Sequence, residues 1–97
     1  MPETWMRTRW QDGTQLRCYS PSLVIEEFFV GGEEYSSEEF LTLAREALTI
    51  GSDRVREKFG FGCGHAMAQL EQLEGMVAVR PGEKVLVEGF ERTGSHL

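Results

Sequence analysis

The chain has 97 residues, 40% hydrophobic and 27% charged, with a formal net charge of −6. That length makes one domain with a modest core and little volume for a deep cleft, and the composition excludes wholesale disorder. No stretch approaches the roughly 18 consecutive apolar residues of a membrane span, and an acidic balance argues against general nucleic-acid binding, which draws most of its affinity from phosphate neutralisation.

The first ten residues, MPETWMRTRW, hold no apolar run of the secretory kind, so a cytoplasmic location is expected. The stretch TWMRTRWQDGTQLRCYS reads as a β-hairpin turning at Asp12-Gly13. A two-residue turn there would mix both faces. A loop of Gln11-Asp12-Gly13, with Gly13 left-handed in a bulge, instead pairs Trp10 with Thr14, Thr8 with Leu16 and Met6 with Cys18. One face then carries Met6, Thr8, Trp10, Leu16 and Cys18, and the other Trp5, Arg7, Arg9, Arg17 and Tyr19. Because a one-residue slip flips every side chain, the segregated register is expected.

SPSLVIEEFF reads as a short helix capped by Ser20, with Pro21 at its first position and Gly31-Gly32 ending it. Its branched and aromatic residues also suit a strand; the Ser-Pro start favours the helix. SSEEFLTLAREALTIGSDRVREKFG is the long helix, opened by Ser36 with Glu39 and closed by Gly60. Residues 40, 44, 47, 48, 51, 55 and 59 give it one apolar face, where Gly51 points to close approach of another segment. GHAMAQLEQLEGM follows as a second amphipathic helix with Ala66, Met67, Leu70, Leu73 and Val77 inward. Pro81-Gly82 turns the chain, and EKVLVEGFE reads as a third strand. The expectation is an α+β fold in the order β-β-α-α-α-β. A three-stranded, largely antiparallel sheet is covered on one face by two amphipathic helices. Residues 1–91 form the single domain and residues 92–97 a flexible tail.

Between the two main helices, FGFGCGHAM (59–67) concentrates glycine, cysteine and histidine. It lacks the spacing of a dinucleotide fingerprint, and no Gly-Lys pair exists for a Walker-type loop. Cys18 and Cys63 match no zinc-knuckle spacing, and a site using Cys63, His65 and His96 would have to recruit the tail. No metal and no cofactor are expected. A thiol reading has more substance, since Cys63 stands at a helix N-terminal edge that favours thiolate. His65 is only two residues on, however, and helical neighbours two apart do not face each other. The plain reading is a tight corner anchored by Phe59 and Phe61, with Cys63 filling an apolar gap and His65 on the solvent side. The paired glutamates at 26-27, 33-34 and 38-39 read as solvated charge.

Charge is uneven along the chain: +1 over residues 1–19, −6 over 20–46 and −1 over 47–97. The outer hairpin face, Trp5, Arg7, Arg9, Arg17 and Tyr19, is thus an aromatic and basic patch on an acidic protein. It suits an acidic protein surface, a second copy included, or nucleic-acid phosphates and bases. The chain's own segments covering the aromatics would remove both options.

The stretches RWQDGTQLRCYSPSLVI and EALTIGSDRVREKFGF, with the cysteine in CGHAMAQLEQLE, resemble bacterial proteins of about this length in the nitrogen starvation response family. The resemblance covers most of residues 5–90, and His65 departs from the arginine more usual near that position. It implies a bacterial cytoplasm and a nitrogen- or nitrile-related pathway. In that family the gene lies beside those of a nitrilase, a radical-SAM protein, an acetyltransferase and a flavin-dependent oxidoreductase. It carries no established reaction. The reading is a non-catalytic accessory protein that binds an enzyme of that cluster or forms a homodimer, with no membrane partner. The alternatives are a thiol-dependent enzyme or redox element using Cys63 and His65, and a nucleic-acid-binding regulator using the basic hairpin face.

Overall fold

The hairpin register sets the architecture. In the computed structural model, which describes residues 3–60 and 64–93, strand β1 (Glu3–Trp10) pairs antiparallel with β2 (Gln15–Ser20). Met6 faces Cys18 and Thr8 faces Leu16. The Trp10 amide donates to the Thr14 carbonyl at 2.8 Å and the Gly13 amide to the Trp10 carbonyl at 2.9 Å. Gly13 has φ +93°, where a side chain would be strained, and Asp12 Oδ1 accepts the Thr14 amide at 2.9 Å. The three-residue bulged loop expected from face segregation is therefore the one that forms.

Past the hairpin, α1 (Ile25–Phe28) is helical as expected but starts later than Ser20. Ser20 ends β2, and its buried hydroxyl donates to the Ser22 carbonyl at 2.7 Å. Pro21 does not open the helix: its ring packs on Gly51, 3.3 Å from where a Cβ there would sit. The closely approaching segment inferred from Gly51 is this one.

A fourth strand corrects the three-stranded expectation. β3 (Glu34–Ser36) is three residues long and pairs antiparallel with β4 (Lys84–Thr93), giving the sheet order β2-β1-β4-β3 among the described residues. Three residues that follow a Gly-Gly turn and end on the helix cap itself carry no readable alternation, which hides the strand. Pairing is secured from outside the strand. Tyr35 sits opposite Val85, and its ring meets Phe29 edge-on at 5.2 Å. The Gly32 amide donates to the Val87 carbonyl at 2.6 Å.

Helix α2 (Ser37–Phe59) is capped by Ser36, whose hydroxyl accepts the Glu39 amide at 3.2 Å. It ends at left-handed Gly60, whose amide reaches the Arg56 carbonyl at 2.7 Å. Phe40, Ala44, Ala47, Leu48 and Gly51 are buried, as the periodicity indicates. Phe59, expected to anchor the corner, is instead 55% exposed, with the Lys58 ammonium 5.8 Å from its ring centroid.

Helix α3 (Gly64–Ala78) buries Ala66, Leu73 and Val77 but leaves Met67 largely outside. Gln69 goes inward instead, where its side-chain oxygen accepts a backbone amide of β2. The inner sheet face and the helices enclose one core of Met6, Trp10, Cys18, Ile25, Phe29, Phe40, Leu48, Leu73, Val85 and Val87. Trp10 is central, edge-on to Phe40 at 5.5 Å, with its indole nitrogen donating to Thr8 Oγ1 at 3.2 Å. Among the described residues, no helix is long and apolar enough to cross a membrane.

Candidate functional site

Strand alternation sends Trp5, Arg7, Arg9, Arg17 and Tyr19 to the face opposite the buried Met6, Thr8, Trp10 and Cys18. The helices occupy the core side, so these five residues line a sheet face that the described helices leave largely open, with α3 reaching only its Tyr19 edge. The structure brings all five together. Trp5 and Tyr19 are directly opposite on β1 and β2, half-buried against one another edge-on at 5.2 Å. The Arg17 guanidinium stacks over the Trp5 ring at 4.8 Å, and the Tyr19 hydroxyl donates to Glu3 Oε2 at 2.5 Å.

The third strand of this face changes its electrostatics. β4 lies beside β1, with Trp5 opposite Glu91 and Arg7 opposite Gly89. Register slips by one residue between Arg7 and Thr8, leaving Glu88 as the extra residue of a bulge. Glu91 takes Arg17 at 2.9 Å and Glu88 takes Arg9 at 3.0 Å. The patch that looks basic in the hairpin sequence is therefore partly neutralised by a strand far away in the sequence, with Glu88 79 residues from Arg9. Arg7 lies between these pairs. Among the described residues it has no ion-pair partner, and its Nη2 occupies the space over Gly89, 2.8 Å from where a Cβ would sit. A hollow of about 250 Å³ opens beside it, lined in part by Arg7, Gln15, Arg17 and Glu88.

His65 is exposed at the start of α3, and its ring stands edge-on to Tyr19 at 5.9 Å. It extends the aromatic cluster around the β2 edge, a placement the local sequence did not signal. Gln69 was missed as well. Its side-chain oxygen accepts the Tyr19 amide at 2.9 Å, so α3 closes part of the outward-facing edge of β2. Cys63 and its neighbours Phe61 and Gly62 lie outside the described residues. The described thiol, Cys18, is fully buried, and burial pushes it up to about 12, with a hydrogen bond from Thr8 opposing. Among the described residues, no group of three or more His, Cys, Asp or Glu stands close enough to hold a metal ion.

A second surface feature, a groove of about 420 Å³, lies between α1 and α2 and is lined by Phe28, Thr42, Arg45, Glu46, Thr49 and Ile50. Arg45, at its edge, pairs with Glu74 of α3 at 3.1 Å.

The profile of the family described as nitrogen starvation-induced protein NitG matches residues 5–90. The chain belongs to the NitG family. The matched span takes in β2, β3, α1, α2 and α3 of this NitG-family chain and most of β1 and β4, whose ends, Glu91 among them, lie just outside it. No curated protein and no solved structure matches the chain.

Proposed function

We propose that this NitG-family protein is a non-catalytic accessory protein of a nitrogen-starvation response in a bacterial cytoplasm. In this reading it works by docking a protein partner on the open face of its sheet. The supporting observation is the pairing of Trp5 with Tyr19 on a sheet face that the described helices leave largely open, ringed by Arg7, Arg9 and Arg17. Tryptophan, tyrosine and arginine are the residue types that most often dominate protein–protein binding energy. The partner is an enzyme of the neighbouring nitrilase-containing gene cluster.

Two observations favour a protein over nucleic acid. Arg9 and Arg17 already hold Glu88 and Glu91, so phosphates would have to displace carboxylates that are tethered in place. The carboxylates themselves would repel a polyanion while suiting the mixed polar rim of a protein interface. Strand-to-strand homodimerisation is disfavoured by the Gln69 side chain on the Tyr19 amide, which blocks part of the β2 edge.

A charge-swapped variant tests the proposal. Arg9→Glu with Glu88→Arg, and Arg17→Glu with Glu91→Arg, keep both ion pairs and the net charge but reverse the pattern shown to a partner. The tagged chain is co-expressed with the cluster enzymes and recovered by affinity. Wild type should retain an enzyme and the swapped variant, with an unchanged circular dichroism spectrum, should lose it. Equal recovery by both would refute the open face as the docking surface.

A further inference from the structure

On the outer sheet face, three arginines lean toward β4, and the sequence answers two of them. Arg17 has Glu91 and Arg9 has Glu88. Opposite Arg7, between those two acids, stands Gly89. The glycine is needed for the guanidinium to lie where it does, because any Cβ would sit 2.8 Å from Nη2. Arg7 also faces Arg17 directly across the hairpin, a like-charge pairing that costs stability. A guanidinium with one terminal nitrogen set over the Gly89 backbone, exposed, and flanked by two completed pairs is without an ion-pair partner among the described residues and can take a carboxylate from outside.

We infer that Arg7 is the anchor for an acidic side chain of the protein partner, resting on the docking reading above and adding the partner's chemistry to it. The incoming carboxylate completes the row Arg17–Glu91, Arg7–acid, Arg9–Glu88. The hollow lined by Arg7, Gln15, Arg17 and Glu88 admits it, because Glu88 is already held by Arg9, and the Gln15 amide is a second donor. The Trp5–Tyr19 pair next to Arg7 receives the apolar residues that flank the acid. The ligand class is thus a glutamate or aspartate carried on an aromatic or aliphatic segment of a protein, and a free small anion lacks the second half of the contact.

The test uses two capped peptides, acetyl-Phe-Glu-Glu-Phe-amide and its Gln-Gln counterpart, titrated into the isotope-labelled full chain and followed by nuclear magnetic resonance. Succinate and inorganic phosphate form separate arms. The acidic peptide should shift the Arg7 side-chain Nε–H, the Gly89 amide and the Trp5 indole together, and the neutral peptide should bind about tenfold more weakly. Arg7→Gln should weaken the acidic peptide about tenfold, Arg7→Lys by less because charge without the fork remains, and Arg9→Gln by about twofold at most. Absence of shifts, shifts that persist in Arg7→Gln, or equal binding of succinate or phosphate would overturn the inference. Enzyme recovery separates its failure from that of the parent reading. Loss in the charge-swapped variant with full retention in Arg7→Gln sinks only the Arg7 anchor, whereas retention in both sinks the docking face itself.

Discussion

The amide of Tyr19 donates to the side-chain oxygen of Gln69 at 2.9 Å, tying the second strand to the third helix. Trp10 and Thr14 form a hydrogen-bonded pair of the hairpin, so alternation turns the amides of Gln15, Arg17 and Tyr19 to the outer edge. Gln69 is 8% exposed, and its own amide nitrogen donates to Gln72 at 3.0 Å, which fixes its orientation. The contact therefore satisfies a backbone donor, locks α3 to the sheet and shortens the free edge at once. Replacing Gln69 by leucine keeps the bulk and removes the acceptor. We expect a loss of about 1–3 kcal/mol in urea unfolding, the cost of an unsatisfied donor. Sedimentation should also show more concentration-dependent association, because a longer edge becomes available. A variant as stable and as monodisperse as wild type would mean that water replaces Gln69 at no cost.

The Gly51–Pro21 contact sets a size limit in the long helix. An alanine there gains up to about 1 kcal/mol in helix propensity but meets the proline ring at 3.3 Å, so Gly51→Ala should lie close to wild type. Gly51→Val adds two methyl groups against Pro21 and Ser22 and should be less stable than Gly51→Ala by about 1–3 kcal/mol. Thermal unfolding of the pair checks the difference.

The two tryptophans report on opposite sides of the sheet. Trp10 is 1% exposed and packed on Phe40, whereas Trp5 is half-buried on the open face. Iodide should quench the fluorescence of Trp10→Phe, which retains Trp5, far more than that of Trp5→Phe, which retains Trp10. Truncation of Trp10 to alanine should cost about 3–5 kcal/mol. Equal quenching of the two single-tryptophan variants would contradict the assignment of faces.

Three carboxyl groups make stability pH-dependent on the acid side. The Arg92 hydrogen bond at 2.8 Å, with its charge, holds Glu26 below its ordinary value of 4.5, and the Thr14 amide holds Asp12 below 3.8. Hydrogen bonds from the Ser37 hydroxyl and the Gly82 amide lower Glu38. A carboxyl depressed in the folded state stabilises fully above its unfolded pKa and loses that contribution as pH falls through the folded one. Unfolding free energy should thus stay level from neutrality to about pH 5 and decline below it. Glu26→Gln should flatten part of the decline. Because Asp12 and Glu38 are exposed, their share of the effect should shrink in high salt, and that of half-buried Glu26 should shrink less.

Burial of Cys18 predicts silence toward thiol reagents. With the thiol pushed up to about 12 and no exposed surface, Cys18 should react with a disulfide reagent at pH 8 only on unfolding. Peptide mapping after labelling the native protein checks it; labelled Cys18 without unfolding would show that the hairpin opens locally.

How far the sequence carried this fold is clearest at the hairpin. Alternation of apolar and charged residues was enough to choose between two turn lengths, since only one register buries Met6, Trp10 and Cys18 together. The long helix was equally legible from its cap, its apolar stripe and Gly60. What stayed hidden depends on distant pairing. β3 exists because Lys84–Leu86 supplies its partners, and nothing in Glu34–Ser36 alone signals a strand. At the site, the five outer-face residues were readable from the hairpin, but the neutralisation of Arg9 and Arg17 was not. It needs β4 beside β1 and a bulge that turns Glu88 outward, neither of which leaves a local trace. Gln69 was unreadable for the same reason, because its partner is a backbone amide fifty residues away.

Oxidative footprinting of the chain, alone and in the complex recovered with the cluster enzymes, tests the docking face most directly. Trp5 and Tyr19 should be labelled in the free chain and protected in the complex, while Phe28 and Ile50, in the groove between the helices, keep their labelling. Unchanged labelling of Trp5 together with protection of Phe28 and Ile50 would move the interface to the helical side and contradict the account.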